Sequence, residues 1–232
     1  MATEAGAAGA EEVAARPRVR CEIDHIVITA PDLAAGAELV RRSLGVMPQV
    51  GGEHARMGTH NLVLKLGDSI YLEVIAPNPN APKPGRSRWF ELDEMKSGTP
   101  PRLATWVART NDIRSTGAAS SEPLGNVEPM SRGELSWLIT IPADGSLPLA
   151  GIAPTLIEWH TQAHPATRLR DVGCSLVRFE AFHPDAPRVS ALLRSISAEG
   201  KISVAPLPAG RRPYLVAHIQ TADGLRSIPS GP

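Results

Sequence analysis

The sequence predicts an α+β fold made of repeated βαβββ modules, each containing a strand, a helix and three further strands. Two observations predict it. Short strand patterns alternate with helical patterns along the chain, and the order of these patterns begins again twice after its first occurrence. The chain has 232 residues, of which 42% are hydrophobic, and this is enough apolar material to bury a sizeable core.

The first module begins with a β-rich segment from Cys21 to Ile28. A Pro-Asp pair then breaks the strand, and Asp32 is suited to cap a helix whose apolar residues recur at helical spacing until Gly45 ends it. After a Gly-rich loop, residues 62–66 and 70–75 predict a β-hairpin. The module is therefore βαβββ if the loop contains one further strand.

A connector with six prolines at residues 77–101 follows, since such a density excludes a regular element. The second copy then runs from a strand at residues 103–110, through a short and poorly patterned helix at 113–121, to strands at 137–141 and 155–160. This copy repeats the first one weakly but in the same order.

A third, abridged copy follows, in which His183-Pro184-Asp185 occupies the place of Ala30-Pro31-Asp32. Its helical face ends at Gly200, and strands near residues 202–204 and 214–221 close the chain. The predicted organisation is a disordered tail at residues 1–20, paired modules at residues 21–172, and the third module at residues 173–232 packed on the same domain.

Composition argues against several classes of partner. The 24 basic and 24 acidic residues give a net charge of +0, so no basic surplus is available for nucleic acid or anionic lipid. No segment approaches the ~20 apolar residues of a membrane-spanning helix, and the first residues resemble no signal peptide. Two cysteines are too few for a disulfide framework. We therefore expect a soluble, cytoplasmic protein with a small-molecule substrate, as a monomer or a homodimer.

Two carboxylates lie inside apolar strands at matching places of the first two copies. Glu73 lies in the segment 71–75 and Glu158 in the segment 156–159. An unpaired buried charge is costly, so each needs an arginine partner or a site to which it contributes. His25 also lies in an apolar strand, where a single histidine is commonly a hydrogen-bonded core residue. Together the three residues favour a shared site.

Four segments of the chain carry a recognisable pattern: residues 23–28 (IDHIVI), 58–61 (GTHN), 71–73 (YLE) and 154–159 (PTLIEW). With these segments the chain resembles the vicinal oxygen chelate superfamily, and in particular its glyoxalase-like domain proteins. The resemblance covers roughly residues 22 to 225. It implies that the modules pair into a curved mixed sheet around one pocket. In metal-binding members the ligands come from the first and last strands of two modules, and the matching positions here are His25, Glu73, Thr105 and Glu158.

The resemblance thus implies a divalent metal held by His25, Glu73 and Glu158, with zinc, iron, manganese or nickel as candidates. Thr105 departs from the pattern because a neutral hydroxyl is a poor ligand, and His160 is an alternative fourth ligand. The metal would act as Lewis acid and template for two adjacent oxygens of a small substrate. Glu158 or Glu73 would move the proton. The leading hypothesis is therefore a metal-dependent lyase or isomerase.

Other hypotheses stay open. The departure at Thr105 favours a metal-free protein that binds a hydrophobic or aromatic compound in the same cup. Ring-cleaving dioxygenase chemistry is disfavoured, because it needs two histidines and a carboxylate at these positions. The candidate substrate-binding residues are His54, His60, Asn61, Thr105, Trp159 and Arg178.

Some of these candidates have a simpler interpretation. His54 and His60 lie in a Gly-rich loop, where surface histidines are common. Arg178 takes the place of His25 in the third copy, which argues against a metal site there. Three roles stay open for Arg178: it binds an anionic group of the substrate, it covers the cup, or it is an ordinary surface arginine.

Overall fold

The computed structural model describes residues 20–161, 163–198 and 200–229, so the predicted tail lies outside the described residues except for Arg20. In these ranges the chain forms twelve strands, three α-helices and four short 3-10 turns. The strands and helices are β1 (Cys21–Thr29), α1 (Leu33–Leu44), β2 (Gln49–His54), β3 (Thr59–Lys65), β4 (Tyr71–Pro77), β5 (Arg102–Thr110), α2 (Ile113–Ala119), β6 (Asn126–Arg132), β7 (Leu135–Ile141), β8 (Thr155–Trp159), β9 (Ser175–His183), α3 (Ala186–Ser195), β10 (Ser203–Pro206), β11 (Tyr214–Thr221) and β12 (Gly224–Pro229). None of the described helices has the length and apolar character that crossing a membrane requires.

The first two modules join into one curled sheet. Its eight strands, counted over the described residues, have the order β2-β3-β4-β1-β5-β8-β7-β6. Within each module the first and last strands are parallel neighbours, β1 beside β4 and β5 beside β8. The antiparallel pair of β1 and β5 joins the two modules at the centre of the sheet. The predicted α+β fold of βαβββ modules is confirmed, and the further strand expected in the Gly-rich loop is β2.

The ends of α1 follow directly from local sequence. The Asp32 carboxylate accepts a hydrogen bond from the backbone N–H of Ala35 at 2.8 Å, and Gly45 ends the helix in the left-handed conformation with φ 77°. Gly36 lets the helix approach the sheet closely, since a Cβ there would lie 2.2 Å from the side chain of Val74.

The third module has the same order of elements but a different sheet. Its strands form a second sheet with the order β10-β9-β11-β12. The first strand, β9, is parallel to β10, the strand that follows the helix, and antiparallel to β11. In the first two modules the first strand is instead parallel to the last one. The third module thus repeats the sequence of elements and not the pairing.

The eight-stranded sheet is buried on both faces. Its outer face shares one core with the helices and the second sheet, where the rings of Trp106 and Phe179 meet edge to face at 6.1 Å. Its concave face forms a separate core that includes Val27 and Val107. Because successive side chains of a strand point to opposite faces, the neighbours Ile26 and Val27 belong to different cores. The second sheet therefore covers the outer face, on the side away from the cup.

The sheet curls until its two edge strands approach each other. The guanidinium of Arg56, just after β2, contacts the Glu128 carboxylate of β6 and donates to the carbonyl of Pro129 at 3.0 Å. Arg86 of the connector donates to the same carboxylate at 2.6 Å. These contacts hold the two edges of the sheet, at β2 and at β6, together on one side of the cup.

Candidate functional site

The concave face contains a pocket with five polar or charged side chains in its lining. They come from both modules and are His25, His54, Asn61, Glu73 and Arg132. Counted up to its open mouth the pocket encloses about 390 Å³, at the lower end of the roughly 300–1,000 Å³ of small-molecule pockets. A ligand must therefore be small or planar, or must displace side chains of the wall.

Aromatic side chains form much of the remaining wall. Of the nine aromatic residues in the chain, five line this pocket: Tyr71, Trp89, Phe90, Trp137 and Trp159. Ile139 and Ile157 complete the lining. Such a concentration of aromatic surface around a few polar groups is typical of a small-molecule site.

A pair formed by Asp24 and His25 lies on the central strand β1. The register of β1 against β5 shifts between Ile23 and His25, so Asp24 is an extra residue in the strand. His25 Nδ1 lies 2.7 Å from Asp24 Oδ1, and since a carboxylate only accepts, this nitrogen carries the proton and donates. The Nε2 atom of His25 then lies 3.6 Å from Glu73 Oε2. Stacking on Tyr71, with ring centroids 4.5 Å apart, fixes the plane of the imidazole.

Asp24 is the centre of a buried hydrogen-bond network. Its Oδ2 atom accepts from Trp159 Nε1 at 2.9 Å, from His164 Nε2 at 2.9 Å and from Arg109 Nη1 at 3.3 Å. Burial alone would raise the pKa of this carboxyl, but hydrogen bonds from His164 and His25 outweigh burial and hold the pKa well below its usual range. Asp24 is therefore a fixed negative charge directly behind His25.

A second chain of hydrogen bonds holds Glu73. The amide nitrogen of Asn61 donates to Glu73 Oε1 at 2.5 Å, and Asn61 Oδ1 accepts from the backbone N–H of Gly52 at 2.7 Å. A Cβ on Gly51 would lie only 2.1 Å from Asn61 Oδ1, so a glycine is required there. Glu73 Oε1 is thus occupied, and Oε2 faces His25.

His54 and Arg132, which both line the pocket, contact each other. His54 Nδ1 lies 3.2 Å from the hydroxyl of Thr59, and His54 Nε2 lies 3.3 Å from Arg132 Nη1. Burial, with the nearby charge of Arg132 as the next cause, lowers the pKa of His54 from 6.5 to about 3. His54 is therefore neutral at physiological pH. Because the guanidinium only donates, His54 Nε2 accepts and Nδ1 carries the proton.

Glu158 does not lie in this pocket. On β8 the side chains of Ile157 and Trp159 face the concave side, so Glu158 between them faces the opposite side. Its Oε2 atom accepts from the backbone N–H of Ile113, the first residue of α2, at 2.8 Å, and Oε1 lies 3.0 Å from His160 Nε2. The expected group of three residues is therefore reduced to His25 and Glu73, because the alternation of β8 directs Glu158 to the helix side of the sheet.

Three other predicted residues also lie outside the lining. Thr105 is fully buried, with its hydroxyl 3.5 Å from the carbonyl oxygens of Trp106 and Ala153. His60 is half-buried, and the pocket is lined instead by its neighbour Asn61, because the two point to opposite faces of β3. Arg178 lies exposed on the second sheet beside Glu180 at 3.3 Å, because its module packs on the outer face and does not cover the cup.

The donor set does not fit the expected metal. Of the four matching positions, His25 and Glu73 meet, whereas Thr105 and Glu158 do not join them. In the described part of the chain no group of three or more His, Cys, Asp or Glu residues is arranged to hold a metal ion. Catalytic zinc sites commonly have three protein ligands. One imidazole and one carboxylate fall short of that number.

Several residues of the site are absent from the sequence-based prediction. Asp24 carries a signal that sequence reasoning can use, because it is a carboxylate inside an apolar strand beside a candidate histidine. His164 precedes a short 3-10 turn and Trp89 lies in the proline-rich connector, and neither is among the site residues predicted from the sequence. Arg132 ends the strand β6, which the sequence pattern does not predict, and no local signal distinguishes it from a surface arginine.

The curled sheet of paired βαβββ modules, with a polar and aromatic pocket in its concave face, defines a member of the vicinal oxygen chelate superfamily. A family model described as "Glyoxalase-like domain" matches residues 23–196, and the chain belongs to this family. No curated protein matches the chain.

Several solved structures are similar to this chain. A hypothetical protein from Staphylococcus aureus has a TM-score of 0.52 and 14% identity, covering 91% of this chain and 86% of that chain. A methylmalonyl-CoA epimerase in complex with methylmalonyl-CoA has a TM-score of 0.41 and 19% identity, covering 63% of this chain and 99% of that chain. A mutant of 4-hydroxymandelate synthase from Streptomyces coelicolor has a TM-score of 0.48 and 14% identity, covering 91% and 63%. The first of these shows a fold shared over most of the chain.

Proposed function

We propose that the protein is an enzyme of the lyase or isomerase type, in which His25 and Glu73 move a proton on a small molecule that carries adjacent oxygens. The observation that carries this proposal is the contact of His25 Nε2 with Glu73 Oε2 at 3.6 Å in the aromatic pocket, with Asp24 behind the imidazole. A histidine whose other nitrogen donates to a buried carboxylate is oriented for acid–base work.

The proton path follows from the hydrogen bonds. In its neutral form His25 keeps its proton on Nδ1, which donates to Asp24, and the lone pair of Nε2 takes a proton from a carbon next to a carbonyl group of the substrate. The imidazolium that results is stabilised by the fixed charge of Asp24. The proton then returns to a neighbouring position of the substrate, from His25 directly or through Glu73.

The placement of the two groups favours a reaction on one face of the substrate. His25 and Glu73 lie on the neighbouring parallel strands β1 and β4, and both side chains line the same pocket. Removal and return of a proton on one face suits a shift of a carbonyl or double bond, or the elimination of a leaving group. Asn61 occupies the second oxygen of Glu73 and thereby keeps Oε2 directed at this face.

Hydrogen–deuterium exchange in D₂O tests the proposal and does not require the product to be identified. A panel of small 2-hydroxy ketones, 2-oxo acids and 2-hydroxy acids is incubated with the protein, and NMR follows deuterium entering the carbon next to the carbonyl group. We expect exchange with the wild-type protein and its loss in His25→Gln and Glu73→Gln. Glu158→Gln is the matched control, because Glu158 faces the other side of the sheet.

Two results would contradict the proposal. One is the absence of exchange with every compound of the panel. The other is exchange that persists in a folded Glu73→Gln or His25→Gln variant at the rate of the Glu158→Gln control. Thermal unfolding of each variant shows whether a lost activity reflects a lost fold.

A second candidate function is binding without turnover. The five aromatic side chains of the lining favour it, since they offer a stacking surface for a planar compound. Saturable binding of a panel compound without any exchange of its protons would support this function over the enzyme.

A further inference from the structure

The lining of the pocket includes an arginine that has no salt-bridge partner in the described ranges. Arg132 lies half-buried in the lining, and its guanidinium contacts His54 Nε2 at 3.3 Å. Within the described ranges it forms no ion pair with an aspartate or glutamate. Other arginines that reach into this side of the cup are paired, such as Arg56 and Arg86 with Glu128.

The partner of Arg132 orients it without cancelling its charge. His54 is buried and neutral, and its Nε2 atom accepts one N–H of the guanidinium. A guanidinium has five N–H donors in a planar fork, so most of them stay available to another acceptor. An arginine held in this way keeps its full charge for a ligand.

The backbone around Arg132 is shaped to admit its side chain. A Cβ on Gly52 would lie 2.9 Å from both the Cδ and the Nη1 atoms of Arg132. Gly52 lies on the edge strand β2 and Arg132 on the opposite edge strand β6, so the curl of the sheet brings them together. The same Gly52 donates its N–H to Asn61, which holds Glu73. One short segment of β2 therefore positions the cation and the acid–base pair within one pocket.

We propose that Arg132 binds a carboxylate of the substrate, which makes small monocarboxylic acids the substrate class of this pocket. The inference rests on the proposed function in one respect, because it takes this pocket as the substrate site. A planar guanidinium matches a planar carboxylate in a two-point contact. Glu73 in the same lining disfavours a ligand of higher negative charge. The aromatic wall accommodates the uncharged body of the molecule.

Binding of matched charged and neutral probes tests the inference. Benzoate and crotonate are titrated by calorimetry against benzamide and crotonamide, which keep the shape and lose the charge. We expect at least one acid to bind the wild-type protein about tenfold or more tightly than its amide, a ratio typical of a charge-assisted pair. Arg132→Gln should abolish this preference, and Arg132→Lys should keep part of it.

The controls separate a site from a general effect of charge. Arg178→Gln removes an exposed arginine of the second sheet and should leave the preference for the acid unchanged. Equal binding of acid and amide by the wild-type protein, binding of neither, or a preference that survives in Arg132→Gln would each overturn the inference. Inorganic phosphate that competes more strongly than either acid would overturn it too, in favour of a phosphate site.

The two proposals fail in different ways. Glu73→Gln removes a like charge from the pocket, so it should bind the acids at least as tightly as the wild-type protein while losing proton exchange. Selective acid binding without exchange in any variant would leave the carboxylate site standing and refute the enzyme. Proton exchange that does not depend on Arg132 would leave the enzyme standing and refute the carboxylate site.

Discussion

Asp24→Asn is the most direct test of the buried network behind His25. The substitution keeps the shape of the side chain and removes its charge. Three donors, Arg109, Trp159 and His164, converge on one oxygen of Asp24, whereas His25 donates to the other. The amide oxygen therefore stays with the three donors, and the amide nitrogen faces His25. His25 must then accept at Nδ1, which moves its proton to Nε2 in the pocket.

The magnitude follows from the number of charge-assisted hydrogen bonds. A hydrogen bond to a charged group contributes about 1.5–3 kcal/mol and a neutral one about 0.5–1.5 kcal/mol. Each of the four bonds to Asp24 is thus weakened by about 1 kcal/mol, and relief from burying a charge offsets part of that loss. We expect the free energy of unfolding to fall by about 3 kcal/mol. For a chain of this length that lowers Tm by about 6–12 °C.

Chemical and thermal denaturation at several pH values measures this effect. The folded-state pKa of Asp24 lies below the unfolded value of about 3.9, so the stabilisation by its carboxylate is present above that pH and is lost as the pH falls below it. The difference in free energy of unfolding between the wild type and Asp24→Asn should therefore be large between pH 5 and 7. It should shrink below about pH 4.

The control is Asp144→Asn, which removes a carboxylate at an exposed turn that accepts from the N–H of Ser146. We expect this control to change the free energy of unfolding by less than about 0.5 kcal/mol. A Tm for Asp24→Asn within about 2 °C of the wild type at pH 7 would refute the reasoning. So would proton exchange that continues at the wild-type rate, because the tautomer switch removes the free lone pair from the pocket.

The remaining predictions concern the fold and the metal. Gly151→Ala should lower the free energy of unfolding by at least about 2 kcal/mol more than Gly173→Ala does. Both glycines have a positive φ, but a Cβ at Gly151 would lie 1.9 Å from the Ala104 carbonyl oxygen, whereas nothing lies within 4 Å of a Cβ at Gly173. Equal Tm values would contradict this packing argument. Glu158→Gln should lower the free energy of unfolding by about 0.5–1 kcal/mol, because the Glu158 carboxylate accepts a hydrogen bond from the first residue of α2. The same variant should leave acid binding unchanged. Loss of acid binding would contradict the position of Glu158 outside the pocket. Because His25 and Glu73 are too few ligands, elemental analysis of protein purified without chelator should find metal well below one ion per chain, and chelator should leave Tm unchanged. Near-stoichiometric metal that disappears in His25→Ala would contradict this expectation.

Much of the fold follows from local patterns in the sequence. The cap at Asp32, the stop at Gly45 and the predicted hairpin correspond to α1, β3 and β4. The sequence patterns do not predict the strands β6 and β12. In β6 the reason is a proline and charged residues at an exposed sheet edge. An edge strand is stabilised by pairing with its neighbour more than by its own apolar pattern.

The candidate site follows only in part. His25, Glu73, His54, Asn61 and Trp159 are named from the sequence and line the pocket. Glu158 and His60 are named with them and point to the other face of their strands. The difference arises because one residue of register exchanges the two faces of a strand.

The sequence alone therefore determines the order of strands and helices, the helix ends and the presence of ionisable groups in apolar strands, because these depend on neighbours along the chain. The tertiary structure decides which of these groups meet. A one-residue shift in β1 places Asp24 behind His25, and the curl of the sheet carries Arg132 from one edge to Gly52 on the other. Both outcomes depend on pairing between strands that are distant in sequence. The spacing of residues within one segment carries no information about such pairing.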